Sequence, residues 1–232
     1  MSTSPGIIYD GPDLEQATQK LFELYNCSYL PKRNPCPQPV SLERAYIDEL
    51  QLNNYLVSDK SDGVRYTLFL CKINNIHYSF LVDRKLTFYQ ISLASNSKNF
   101  KGSLFDGELV WTKTGSQMYL IFDVYALQGS RAIRDENLYD RIATIRNIFD
   151  TNGVVIESVK DANALAKSGK IVCGGNRFGL SFKPKMCFPM NQIDTLSRKL
   201  NTLTYETDGL IFTPIHKQIS FGTAHNVYKL KY

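Results

Sequence analysis

Tyr55-Leu56-Val57-Ser58-Asp59-Lys60-Ser61-Asp62-Gly63-Val64-Arg65-Tyr66 sets a lysine two residues ahead of an Asp-Gly pair and an arginine two residues beyond it. Apolar, strand-like sequence flanks the pair, residues 55–57 before it and 64–70 after it. Asp-Gly between such runs is a strong hairpin signal, which leaves Lys60 and Arg65 as exposed cations beside a turn. The same placement suits a nucleophilic lysine held at a strand end, provided that its ammonium is made to release a proton. The stretch alone supports both readings, and the rest of the chain has to separate them.

The 232 residues suffice for one large domain or two small ones, either with a real core. Hydrophobic residues at 43% and charged residues at 21% are ordinary for a globular protein, and 14 Tyr with 13 Phe favour a strand-rich fold. A net charge of +5 permits a phosphate-bearing partner without requiring one. Cys27, Cys36, Cys71, Cys173 and Cys187 form no C-x-x-C pair, so neither a zinc site nor a disulfide framework is signalled and reduced thiols are expected. No apolar run approaches membrane-spanning length, and the N-terminus lacks an apolar stretch behind basic residues. These features lead us to expect a soluble intracellular protein with no membrane partner.

Residues 13–25 carry Leu14, Ala17, Leu21 and Leu24 at helical spacing after a candidate Asp13 cap. Pro31, Pro35, Pro37 and Pro39 then stiffen an extended segment that can be neither helix nor central strand. Residues 41–50 read as a short helix capped by Ser41, with Arg44 on its surface. Short strands follow at 64–71, 76–82, 86–90, 104–111 and 118–125, with Asn74-Asn75 as a hairpin turn and 118–125 apolar enough to be buried on both faces. Residues 137–149 are helical, with Leu138, Ile142, Ile145 and Ile148 on one stripe and Arg141 and Arg146 off it. A weaker helix at 161–167, a strand at 178–185, a helix at 191–201 and strands at 209–213 and 227–230 complete an α+β pattern of largely antiparallel sheets.

Asp-Gly recurs at Asp106-Gly107 and Asp208-Gly209, and each of the three pairs has an ionisable neighbour: Lys60, Glu108 and Glu206. Turn chemistry explains the pairs. It does not explain recurring ionisable residues at the ends of apolar strands, where charge is costly. Carboxylates alone would keep a lysine among them protonated, so a divalent cation or further positive charge is required. On a strand Lys229 and Lys231 face one side and Leu230 the other, so the two ammoniums could bind a phosphate or merely protect an edge. Phe122 is a stacking platform or a core residue, and Arg84 a phosphate fork or a surface ion pair. Lys183 and Lys185 repeat the pattern of cations at a strand end. His77, His216 and His225 show no ligand spacing, and no Walker loop, dinucleotide fingerprint or nucleophile elbow is present.

In order, Lys60-Ser61-Asp62-Gly63-Val64-Arg65, Phe105-Asp106-Gly107-Glu108, Phe122-Asp123, Glu206-Thr207-Asp208-Gly209 and Lys229-Leu230-Lys231 resemble the serial motifs of the covalent nucleotidyltransferases, the superfamily of mRNA capping guanylyltransferases and polynucleotide ligases. Gln38-Pro39-Val40-Ser41-Leu42, Leu81-Val82-Asp83-Arg84 and the run from Glu206 to Pro214 bring the likeness closer to capping enzymes. It covers residues 37–231, which suggests an N-terminal helix and Pro-rich segment at 1–36 and an ATP-grasp-like nucleotidyltransferase domain at 37–232.

The resemblance implies that Lys60 attacks the α-phosphate of GTP, carries GMP as a phosphoramide and passes it to a 5′-diphosphate RNA end. By the same likeness, Lys229 and Lys231 neutralise the α-phosphate, and Mg²⁺ or Mn²⁺ lies near Asp208 and Glu206. Arg65 and Glu108 hold the ribose, Phe122 stacks on guanine, and Arg84 and Lys185 reach phosphate or base. Family members carry a C-terminal OB-fold lid, for which a chain ending at Tyr232 has no room. An OB-fold domain, an RNA triphosphatase or a methyltransferase is therefore expected as a partner, in the nucleus of a cell or in the cytoplasm or virion of a large DNA virus. A ligase adenylation domain using ATP, or a non-catalytic nucleotide- or RNA-binding module of the same fold, is the alternative.

Overall fold

The strands before and after Asp62-Gly63 belong to different sheets, so this pair is a corner between sheets and not the tip of a hairpin. The computed structural model describes residues 4–27, 31–52, 54–149, 159–173, 180–216 and 218–232. The larger sheet has the order β1 (Ile7–Ile8), β6 (Phe88–Gln90), β5 (Ile76–Val82), β4 (Val64–Ile73), β8 (Ser103–Trp111), β9 (Gln117–Ala126) and β11 (Leu180–Pro184). The smaller runs β12 (Phe188–Pro189), β3 (Tyr55–Ser61), β13 (Thr207–Pro214), β14 (Thr223–Lys231) and β2 (Gln38–Ser41). A two-stranded ribbon joins β7 (Leu93–Ala94) to β10 (Val172–Cys173). Among the described residues only β9–β11 and β14–β2 pair in parallel, so the expected α+β architecture of largely antiparallel sheets is what the chain adopts.

Local chemistry explains most boundaries. Asn74 and Asn75 take φ of 47° and 66°, the left-handed values a two-residue hairpin turn demands. After β5 the Asp83 carboxylate accepts the backbone N–H groups of Lys85 and Thr87, each at 2.8 Å. That turn forces Leu86 to a φ of 66°, and the strand expected from residue 86 begins at Phe88 instead. Gly63 has no room for a side chain, because a Cβ would meet the Leu109 carbonyl oxygen. The other two Asp-Gly pairs are not turns. Asp106-Gly107 lies inside β8 and Asp208-Gly209 inside β13.

Two helical expectations are also corrected. Ser41 caps no helix: it ends β2, held in the sheet by Lys229, and the helical turns begin at Arg44–Tyr46 before α2 (Ile47–Leu52). Asp13 precedes α1 (Leu14–Tyr25) but makes no side-chain cap. Its buried carboxylate accepts instead from Tyr78 Oη at 2.7 Å and Asn74 Nδ2 at 2.9 Å. The remaining helices are α3 (Leu138–Phe149), α4 (Val159–Lys167) and α5 (Ile193–Leu200), and the first residues of the strand expected at 178–185 lie outside the described ones.

Strand alternation gives the larger sheet two apolar faces. One packs Leu68, Leu70, Phe105 and Ile121 against Ile145, Ile148 and Phe149 of α3. The other packs Phe69, Phe80 and Val82 against Ala17, Leu21 and Tyr25 of α1. Arg134 fastens the end of α1, donating to the Leu24 carbonyl and, at 2.7 Å, to the Tyr125 carbonyl of β9. The outer face of the smaller sheet, Tyr55, Val57, Phe212 and Tyr228, covers Leu50 and Leu196 of α2 and α5. Helix α3 ties the sheets together, since its Leu138 and Ile142 touch Leu56 of β3.

Candidate active site

Between the sheets lies a cleft of about 270 Å³. Alternation along β3 turns Leu56, Ser58 and Lys60 into it while Tyr55 and Val57 enter the outer core. Lys60 is therefore placed by the corner at Gly63, on the last inward-facing position before the chain changes sheets.

Opposite Lys60, the register of β13 slips between Thr207 and Gly209, which makes Asp208 the extra residue of a bulge. Bulges re-aim side chains, and here the carboxylate meets Lys60 Nζ at 2.5 Å and Lys231 Nζ at 2.9 Å. Gly209 is required beside it, because a Cβ would run into the Leu230 carbonyl of β14. Partial burial works against the Asp208 charge, but the hydrogen bonds from Lys60 and Lys231 outweigh it and hold the carboxyl below its ordinary value. Lys229 lines the cleft two residues before Lys231, which is 61% exposed at its edge.

Across the cleft stands Phe122 of β9, with the Arg65 guanidinium carbon 5.3 Å and Lys185 Nζ 5.9 Å from its ring centroid. Arg65 is firmly anchored. Its Nε donates to Asp106 Oδ1 at 3.0 Å, and its other nitrogens donate to Asp106 Oδ2 and to the Pro37 carbonyl. Burial disfavours the guanidinium charge, yet the fully buried Asp106 carboxylate raises its affinity for the proton well above normal. Glu108, paired across the strands with Arg65, accepts a hydrogen bond from Ser61 Oγ. Lys185 is 4% exposed and donates to Ser61 Oγ at 2.7 Å.

Two expected site residues stand apart. Arg84 is exposed in the turn after β5 and does not line the cleft. The Glu206 carboxylate is 76% exposed and pairs with Lys113 at 3.9 Å. Conversely, Arg141, read from the sequence only as lying off the apolar stripe of α3, belongs to the site. It is 2% exposed, lines the cleft, and grips Asp123 through Nε at 2.7 Å and Nη2 at 3.1 Å. Helical periodicity registers it as polar and cannot show the carboxylate that neutralises it 18 residues earlier.

Among the described residues no three His, Cys, Asp or Glu side chains are grouped to hold a metal. Asp208 offers one carboxylate beside two ammoniums. A hard divalent ion would find only that one carboxylate, already paired with the ammoniums, and would have to take its other ligands from phosphate oxygens and water.

A sequence profile of the mRNA capping enzyme catalytic domain matches residues 6–232. The chain belongs to that family. Capping enzyme relatives include the mRNA-capping enzyme subunit alpha of Candida glabrata, 29% identical over 94% of this chain and 50% of its own length. The same subunit of Saccharomyces cerevisiae is 27% identical over 94% of this chain and 49% of its own, and the mRNA-capping enzyme of Mus musculus is 28% identical over 89% and 34%. This capping enzyme domain thus spans about half the length of the fungal relatives, 50% of the first of them. Among solved structures, one described as Pmar-Lig_PreS3 superposes with a TM-score of 0.51 at 11% identity, covering 94% of this chain and 51% of its own, a likeness of fold alone.

Proposed function

We propose that the cleft transfers GMP from GTP to the 5′-diphosphate end of RNA, the guanylyltransferase step of mRNA cap formation. The observation that carries this reading is the placement of Lys60. Its Nζ lies in the lining of the 270 Å³ cleft, 2.5 Å from Asp208, with Lys229 and Phe122 lining the same cleft. In the first step Nζ, having released a proton to solvent, attacks the α-phosphorus. The P–N bond forms, the bond to the bridging oxygen breaks, pyrophosphate leaves with the electron pair, and the nitrogen gives up a second proton to solvent to become the phosphoramide. In the second step a terminal oxygen of the RNA diphosphate attacks the same phosphorus, the P–N bond breaks as its nitrogen is reprotonated from solvent, and Lys60 is restored as the ammonium.

The chain's own residues supply position and charge. Lys229 and Lys231 face the charge that builds on the α-phosphate oxygens during each displacement. Phe122 offers a π-face for the base. Arg65, fixed by Asp106 and Pro37, and Glu108, fixed by Ser61, are the pair we assign to the ribose, and their anchoring in the lining of the cleft supports that reading. Lys185 is a donor only, and the guanine edge presents the O6 and N7 acceptors where adenine presents an amino donor at the sixth position, so it favours GTP over ATP. Asp208 is the carboxylate that would hold a magnesium or manganese ion, which supplies positive charge to the phosphates when bound. Glu206 would have to leave Lys113 to join it, and Arg84 would reach the nucleotide only from outside the cleft. An OB-fold domain, a triphosphatase and a methyltransferase are the partners this chemistry calls for, wherever nascent RNA is made in the nucleus or by a large DNA virus.

Incubation with α-labelled GTP or ATP and Mg²⁺ or Mn²⁺, followed by denaturing electrophoresis, tests the reading. Label from GTP that disappears in Lys60→Ala is expected. Label from ATP alone would identify a ligase-type adenylation site, and GTP binding without an adduct, even with an OB-fold domain supplied, a non-catalytic module.

A further inference from the structure

Behind the cleft wall runs a chain of polar groups whose inner members, Asp59 and Tyr205, have no part in the transfer chemistry above. Asp59, next to Lys60 but on the opposite face of β3, is fully buried. Its Oδ1 accepts from Tyr205 Oη at 3.3 Å, while Oδ2 has no hydrogen-bond donor among the described residues and faces Lys185 Nζ at 3.4 Å. Lys185 in turn donates to Ser61, and Ser61 to Glu108. A carboxylate without solvent is costly unless it is compensated, so a buried aspartate here calls for a role.

We propose that Asp59 is a positioning residue for nucleotide selection, fixing the Lys185 ammonium from behind so that it points a hydrogen-bond donor at the edge of the base. The inference rests on the reading of Lys185 given above. An ammonium has three donors. One is taken by Ser61 and a second is drawn towards Asp59, which leaves the third for the cleft that Lys185 lines. Without Asp59 the long lysine side chain could rotate, and holding a donor in place before the ligand arrives is what converts a contact into affinity. Tyr205, held by a bridge to Thr112, fixes the carboxylate itself.

The test is equilibrium binding of GTP and of ATP, by calorimetry, to the wild-type chain and to D59N, K185M and D59N/K185M. D59N is expected to weaken GTP about tenfold, the worth of one hydrogen bond to a charged group, and to leave ATP within about twofold. In the K185M background D59N should add nothing, because its effect passes through the lysine. A general structural role would weaken both nucleotides and persist in K185M, and that result overturns the proposal. If D59N does not fold, Y205F takes its place, with a smaller loss confined to GTP; equal losses for the two nucleotides, or none, count against it. Loss of GTP preference in K185M but not in D59N or Y205F sinks this inference alone. An unchanged K185M sinks the reading of Lys185 and this inference with it.

Discussion

Arg141 and Asp123 form a two-pronged buried ion pair between α3 and β9, with Nε 2.7 Å from Oδ1 and Nη2 3.1 Å from Oδ2. Burial opposes the charge on Arg141, but the carboxylate overcomes it and strengthens the guanidinium's hold on its proton. Removing one partner strands the other charge in the wall of the cleft. R141A is expected to lose about 3–5 kcal/mol of stability, whereas R141M/D123L, which removes both charges, should lose far less. Urea denaturation of the two variants checks this; equal losses would mean that a stranded charge is not what makes R141A costly.

The bulge at Asp208 depends on Gly209. A methyl group there must push β14 away from β13 at the Leu230 carbonyl, and G209A should cost about 2–3 kcal/mol, the usual penalty of overpacking. It should also separate Asp208 from Lys60 and Lys231 and so reduce adduct formation beyond the loss of folded protein. Labelling per folded molecule, with the folded fraction taken from circular dichroism, measures that second effect.

Lys229 and Lys231 occupy one face of β14 but are not equivalent. Lys229 lines the cleft, while Lys231 is 61% exposed and already paired with Asp208. K229A is expected to slow formation of the GMP adduct about 10²–10³-fold, as loss of a preorganised transition-state contact does. K231A should slow it about tenfold at low salt, with the loss shrinking at high salt because an exposed charge is screened. Single-turnover labelling at two salt concentrations separates the pair, and a larger loss in K231A would reverse the assignment.

Burial raises the thiol pKa of every cysteine whose side chain is described: Cys27 rises, Cys36 reaches about 11, and Cys71 and Cys187 about 12. The thiolate is the reactive form, so at pH 8 these four stay neutral even though Cys187 lines the cleft. Treatment of the native protein with a thiol-reactive disulfide at pH 8, read by peptide mapping, should therefore label Cys27, Cys36, Cys71 and Cys187 slowly. Fast labelling of Cys36 or Cys71 would contradict their burial.

Much of this arrangement is legible in the sequence wherever the signal is local. The Asn74-Asn75 turn, the doubly buried strand around Tyr119, the apolar stripe of α3 and the alternation that puts Lys229 and Lys231 on one side all follow from neighbours a few residues apart. Failures occur where the partner is distant. Asp106 looks like a turn residue until Arg65, 41 positions earlier, is seen to hold it inside β8. Nothing periodic marks Asp59, Ser61 or Tyr205, and their contacts appear only when β3 is laid beside the segment at Lys185. Asp62-Gly63 has the composition of a hairpin and misleads for the opposite reason: local chemistry fixes that the chain turns, not which sheet it enters.

The alternation along β3 has a consequence for which sequence changes the protein can survive. Asp59, Lys60 and Ser61 sit on successive, opposite faces of one strand, so the nucleophile and the groups behind it share a single reading frame. Deleting or inserting one residue between Tyr55 and Lys60 cannot be absorbed, because it would rotate every later side chain to the wrong face. Lys60 would then point into the protein and Asp59 or Ser61 into the cleft, with β13 still pairing normally. Length variation among natural sequences of this kind should therefore fall in loops and avoid this strand altogether.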